Sequence, residues 1–248
     1  VNKNKILTNK LKDSIEIVPV KLNSKSSVTF PYVIGYKVED LLINSIIDKN
    51  IENSLKIIDR LISILDTVNV SNVNPVLNPE YKKVFGNTPN TSTECYDIAI
   101  VDMNFDNIIQ KDNKRLTWNL IDYEWVFSFA VPRKILIGRV LFYFFHHKYG
   151  KLLSYTASPS NKMVRLMEDF FVPEYIYKRY IEFFDSMEQT INAEVNLQAY
   201  IKGVKLPKEQ RVIKKDIINK PRLSPVDFMD QRNKSMEQEI FYMKENIK

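Results

Sequence analysis

The sequence predicts an α+β fold, and three observations predict it. Apolar residues recur at three- and four-residue steps through 52–67, where Leu55, Ile58, Leu61, Ile62 and Leu65 form a helical stripe. Between 97 and 125, short apolar runs alternate with polar turns, the pattern of a small antiparallel arrangement. From Pro132 onward the pattern is helical, with segments at 133–149, 160–170, 173–195 and 225–246. At 248 residues the chain can bury a sizeable core, and its 44% hydrophobic and 27% charged composition is that of an ordinary globular protein.

Taken in order, residues 3–13 read as a short helix and "SIEIVPVKL" as a strand with Pro19 near an edge. Val28–Phe30 form a further strand, which Pro31 breaks, and Gly35 marks a turn. Val38, Leu41, Leu42 and Ser45 begin a helical period ahead of the 52–67 helix. Residues 69–95 are rich in Asn, Pro, Ser and Thr, which predicts a loop or a long insertion with little structure of its own. The runs "DIAIVD", "NIIQK" and "LTWNLIDYEW" are the short strands, with "DNK", 112–114, as a hairpin turn. The closing "MEQEIFYMKENIK" is amphipathic and suits a closing helix, a coiled-coil arm or a linker. No internal repeat is present.

Several classes are disfavoured. The longest apolar run, "ILIGRVLFYFFHH", 135–147, contains Arg139, so a buried core helix is expected and not a membrane span. Cys95 is the single cysteine, which excludes a disulfide framework within the chain and fits a reducing, cytoplasmic location. His146 and His147 are adjacent, and successive helical residues point about 100° apart. With one cysteine they make a poor zinc site. The net charge of +6 is carried by 202–222, which holds eight basic and two acidic residues. A solvated linker is the plain reading, with peripheral contact to an anionic membrane or a polyanionic substrate as the alternatives. The run lacks interleaved aromatics, so no specific nucleic-acid partner is expected. The chain opens on Val, which suits a piece of a longer protein.

The most polar stretch among the apolar runs is "IVDMNFDNII", 100–109. Asp102 is followed five positions later by Asn107, and Asp122 stands fifteen beyond that in "NLIDYEW". An Asx-rich turn capping a strand is the plain reading. A hairpin between the two would instead bring Asn107 beside Asp122, with Asp102 just in front. Phosphoryl transfer can use such a set. It needs a magnesium ion held by hard oxygen ligands and a carboxylate that orients an attacking hydroxyl.

This stretch resembles the catalytic loop and metal-binding strand of protein-kinase-like phosphotransferases, closest to the aminoglycoside phosphotransferase and choline kinase branch. In that branch a D-x-x-x-x-N loop precedes an I-D-[FWY]-E segment at a similar distance. The resemblance implies that Asp102 is the catalytic base, that Asn107 and Asp122 are the magnesium ligands, and that Glu124 is the acid following the metal aspartate. It implies ATP and magnesium as cofactors, and a hydroxyl of a sugar, glycan or small alcohol as acceptor. "SSVTFPYVIGYKVEDLL" resembles the last N-lobe strand, the hinge and the first C-lobe helix, so Phe30, Tyr32 and Val33 would line the adenine side. The implied architecture is a protein-kinase-like fold with a mostly helical C-lobe, a small β-hairpin and a truncated N-lobe. Residues 1–34 would be a remnant of N-lobe and hinge, 35–200 the C-lobe, and 201–248 a basic linker with a C-terminal amphipathic helix. The C-terminal helices form the acceptor pocket in that branch, which makes Glu168, Asp169 and Glu174 candidates for a polar acceptor.

The sequence also departs from the pattern. Ile100-Val101 stand where His-Gly is usual, and "FAVPRKILIGRVLFYFF" stands where a Gly-Asp and Asp-Leu-Ala brace is usual. With five glycines there is no G-x-G cluster, and no phosphate-covering loop or strand lysine is recognisable. "IDYEWVF" running into "VPRKILIGRVLFYF" is similar to kinase-like modules of large bacterial proteins that build surface polysaccharides. Such proteins also carry methyltransferase and glycosyltransferase modules, so additional domains of the same polypeptide are expected partners. Two functions follow: an active phosphotransferase, or an inactive kinase-like scaffold between such modules.

Overall fold

The computed structural model describes residues 7–8, 10–11, 14–19, 21–24, 27–29, 31–111, 117–149 and 172–203. The chain divides into two compact units, 1–141 with 182–211 and 142–181 with 212–248. The described residues are mixed α+β, as the patterning predicts.

The strands are short. They are β1 (Glu16–Ile17), β2 (Lys21–Ser24), β3 (Ser27–Thr29), β4 (Tyr36–Lys37), β5 (Val70–Val73), β6 (Thr93–Tyr96), β7 (Ala99–Ile100), β8 (Ile108–Gln110), β9 (Trp118–Leu120), β10 (Val126–Phe127) and β11 (Val131–Pro132). A four-stranded sheet of order β1-β9-β8-β4 centres the first unit, with β1 parallel to β9 and the other pairs antiparallel. The expected "SIEIVPVKL" strand is two separate strands, since Pro19 interrupts the ladder. The expected single antiparallel arrangement is divided as well. β7 pairs with β10, whereas β8 pairs with β9, so the chain changes sheets across 101–107. The hairpin turn expected at 112–114 and the helices expected at 160–170 and 225–246 lie outside the described residues.

The helices of the first unit include α1 (Val38–Ile47), α2 (Ile51–Leu65), α3 (Pro79–Phe85) and α4 (Arg133–Phe142), the last of which ends at the boundary. Asn50 caps α2 by accepting from the Asn53 N–H, a bond worth about 1 kcal/mol. The buried face of α2 is Ile57, Ile58, Leu61, Ile64 and Leu65, so the stripe is turned from the expected one and leaves Leu55 and Ile62 half-buried. Each fully buried Leu or Ile contributes roughly 1.5–3 kcal/mol.

Residues 69–95 are a correction to the expected loop. They fold as β5, a 3₁₀ turn at Pro75–Leu77, α3 and β6, and β6 pairs with both β5 and β11. The Asn and Pro that read as loop composition are start signals. Asn74 and Asn78 accept from Val76 N–H and Glu80 N–H, with Pro75 and Pro79 opening each turn. Gly35 is likewise more than a turn residue. A Cβ there would press on the Gln110 carbonyl and lie 2.7 Å from Ile109 Cγ2, so glycine permits the chain to run against β8.

The expected 133–149 helix forms, with its last seven residues, Tyr143–Tyr149, in π-helical form. The expected helix at 173–195 is three: α5 (Glu174–Arg179), α6 (Ile181–Asp185) and α7 (Met187–Ile201). Ser186 Oγ donates to the Glu182 and Phe183 carbonyls, which offers the backbone an alternative to continuing the helix.

Candidate functional site

The "IVDMNFDNII" stretch is where the chain leaves one sheet for the next. β7 delivers Val101 and Asp102 beside the segment that enters β10, where Val101 N–H donates to Trp125 O at 2.9 Å. In return Trp125 N–H donates to Asp102 Oδ2 at 2.7 Å. A 3₁₀ turn at Phe105–Asn107 then feeds β8. Asn107 Nδ2 reaches back and donates to the Asp102 carbonyl at 2.9 Å, and Asn104 N–H donates to the same oxygen at 2.7 Å. The Asp102 position is therefore fixed through both its carboxylate and its carbonyl.

The β8–β9 register places Asn107 across from Ile121, whose N–H donates to Asn107 O at 3.0 Å. Asp122 follows directly and is exposed, as is Glu124. Both carboxylates are close enough to bear on Asp102 electrostatically. The loop, Asn107 and the β9 exit thus come together as their spacing implied, although a change of sheet separates β7 from β8.

The Asp102 carboxyl is pushed above its ordinary range. Burial is the largest cause; the Trp125 N–H and the Arg139 guanidinium oppose it, and Asp122 and Glu124 add to it. A carboxyl raised in this way is a better proton acceptor than an ordinary surface aspartate.

No family model matches this chain, and neither a curated protein nor a solved structure matches it.

The remaining expected positions fare differently. Phe30 lies outside the described residues, Tyr32 is 91% exposed and Val33 is half-buried. Glu174 pairs with Lys178 at the surface of the second unit, at 2.5 Å, while Glu168 and Asp169 lie outside the described residues. His146 is buried and stacks on Phe142 with ring centroids 4.9 Å apart. No three His, Cys, Asp or Glu residues converge into a metal-binding group among the described residues. Cys95 is buried on β6, and burial pushes its thiol up to about 11. No helix among the described residues is long and apolar enough to cross a membrane.

The aromatics near the stretch divide into two groups. Trp118 is buried in β9, donates from Nε1 to Gln110 Oε1 and lies under the Arg60 guanidinium. Trp125, Phe127, Phe129 and Tyr200 are half-buried and adjoin one another, with centroids 6.3 Å apart for Trp125–Phe127, 5.1 Å for Phe127–Phe129 and 6.4 Å for Phe127–Tyr200. Tyr200 escaped the sequence reading because it stands 75 residues from Trp125 and joins it through α7.

Arg139 was visible only as the charge that argued against a membrane span. It is 6% exposed, and its Nη1 donates to the Val101 carbonyl at 2.5 Å and to Asn104 Oδ1 at 3.2 Å. Its Nε donates to Glu194 Oε2 at 2.6 Å. An arginine inside the apolar run 135–145 was the available signal, because burying it demands partners.

Proposed function

We propose that this chain belongs to an ATP- and magnesium-dependent phosphotransferase that acts on a hydroxyl of a sugar, glycan or small alcohol, in the setting of a larger bacterial surface-polysaccharide protein. The observation that carries the reading is the Asn107 side chain holding the Asp102 carbonyl while Ile121 docks on Asn107 O. That arrangement ties a half-buried, raised carboxylate to a neighbouring amide and an exposed carboxylate at fixed spacing.

The donor set fits magnesium. Asn107 Nδ2 is committed to Asp102 O, which leaves its amide oxygen as the hard donor, and Asp122 supplies a carboxylate. Magnesium needs only one or two protein carboxylates and takes its other ligands from water and phosphate. When bound, the ion would neutralise charge on the transferring phosphoryl group. Asp102 would orient the acceptor hydroxyl and take its proton. The half-buried Trp125, Phe127 and Tyr200 faces suit the apolar C–H face of a sugar ring.

In the full polypeptide, Asp102→Ala should abolish transfer from ATP while nucleotide binding persists. Retention of full activity in that variant sinks the assignment. A second reading, an inactive kinase-like scaffold, is favoured by the five glycines without a G-x-G cluster. No thermal stabilisation by ATP with magnesium would favour the scaffold.

A further inference from the structure

The polar groups around Asp102 have a backing that the expected roles do not include. α4 runs past the loop, and Arg139 extends from it into a buried position. One nitrogen of the guanidinium reaches the residue before Asp102, at the Val101 carbonyl, and the residue two after it, at Asn104 Oδ1. The other side is clasped by Glu194 of α7, whose second oxygen accepts from Gln198 Nε2 at 2.8 Å. Two helices and the loop therefore meet on one cation.

Ordinary packing does not account for this arrangement. Burying an ion pair gains little stability over a well-packed apolar pair, because both charges must be desolvated. What a buried, planar, multiply bonded guanidinium supplies is geometry, since its donors leave in fixed directions. Here those directions end on either side of Asp102.

We infer that Arg139, oriented by Glu194, is a positioning residue for the Asp102–Asn107 loop: it holds the Val101 carbonyl and the Asn104 amide, and thereby sets where the Asp102 carboxylate points. It touches no reacting atom. The inference deepens the phosphotransferase reading and rests on it for its catalytic consequence.

The Trp125 amide reports on the carboxylate directly, because it donates to Asp102 Oδ2 at 2.7 Å. Within this chain ¹⁵N-tryptophan labelling marks two backbone amides, Trp118 and Trp125, each assigned by its own Trp→Phe variant, and Trp118 serves as the internal reference. In the full polypeptide, Arg139→Met should move the Trp125 amide signal upfield and speed its hydrogen exchange, with Trp118 unmoved. Arg139→Lys keeps the charge but loses the planar fork, and should fall between wild type and Arg139→Met. Arg133→Met breaks a different ion pair, to Asp66, and should lower thermal stability with Trp125 unmoved. If Arg139→Met does not fold, Arg139→Lys and Glu194→Gln carry the measurement. In turnover, kcat should fall about a hundredfold, the cost of misplacing a reacting group by about 1 Å, with KM for the nucleotide nearly unchanged. A Trp125 signal that stays in place in every folded Arg139 and Glu194 variant overturns the inference. The amide measurement needs no turnover, so it fails independently of the Asp102→Ala activity test.

Discussion

Gly138 sets how closely α4 and α7 approach, and replacing it with alanine tests that claim quantitatively. A Cβ at Gly138 would stand 2.5 Å from Thr190 Oγ1 and 3.4 Å from Thr190 Cβ and Cγ2. The Oγ1 contact is about 1 Å inside ordinary van der Waals separation. Thr190 is fully buried and its hydroxyl donates to Ser186 O, so it cannot swing into solvent. Overpacking of this kind costs about 1–3 kcal/mol. Alanine in place of a mid-helix glycine returns about 1 kcal/mol of propensity. The two nearly offset, which makes the single variant a weak test and the double-mutant cycle a strong one. In a Thr190→Ala background the Oγ1 contact is gone, and only the propensity gain remains. Gly138→Ala should then be stabilising by up to about 1 kcal/mol there and neutral or destabilising by up to about 2 kcal/mol in wild type. Thermal or denaturant unfolding of the four proteins reads the coupling, with about 2–4 °C in Tm per kcal/mol at this chain length. A coupling within the roughly 0.5 kcal/mol scatter of independent sites would refute the close approach.

Gly35→Ala should cost more than Gly138→Ala, about 2 kcal/mol or above, because the obstructing atoms are the β8 backbone and cannot rotate away; chemical denaturation measures it. Asp66 should give an acid-sensitive component of stability. Burial raises its carboxyl, but the hydrogen bonds from Arg133 and Tyr96 outweigh this and hold it below its ordinary value. Its contribution is therefore fully present above the unfolded carboxylate pKa of about 4 and is lost as pH falls through the depressed folded value. Asp66→Asn should flatten that acid limb in a pH series of unfolding midpoints. Asp102 has the opposite sign: its folded pKa is raised, so the folded state holds the proton more tightly and stability declines as pH rises past the unfolded value. Asp102→Asn, which can still accept from Trp125 N–H, should be more stable than wild type at neutral pH in metal-free buffer, and a lower Tm would contradict the burial argument.

The legible parts of the fold were those with a period or a pairing rule. The α2 stripe, the start of α1 at Val38 and the helix from Arg133 all announced themselves by apolar spacing. The antiparallel pairing of β8 with β9 was legible too, and with it the meeting of Asn107 and the Asp122 segment. What was missed had a physical reason in each case. Residues 69–95 read as loop because Asn and Pro are loop residues in composition and helix-start residues in position, and composition cannot tell the two apart. The breaks at Tyr180 and Ser186 interrupt a pattern whose apolar spacing continues across them. The assignment of β7 to β10 and not β8 depends on a chain reversal through 121–125 that no local pattern encodes.

The same limit explains why Asp102 was found by sequence and Arg139 was not. Asp102 and Asn107 are five residues apart, and their bond is local enough for spacing to imply it. Arg139 lies 38 residues from Val101 and 55 from Glu194, so its partners are set by how α4 and α7 pack. That packing is in turn set by Gly138 against Thr190, one residue before Arg139 on α4 and four before Glu194 on α7. On α7, positions four apart lie on one face. The small residue and the charged pair are thus successive rungs of one contact. Widening the first by a methyl group strains the 2.6 Å bond of the second, and through it the Val101 carbonyl. Gly138→Ala should therefore disturb the Trp125 amide as well as stability, and Thr190→Ala should restore both. A destabilised Gly138→Ala protein with its Trp125 signal unmoved would separate the two rungs, and would show that Arg139 is held by Glu194 independently of the helix spacing.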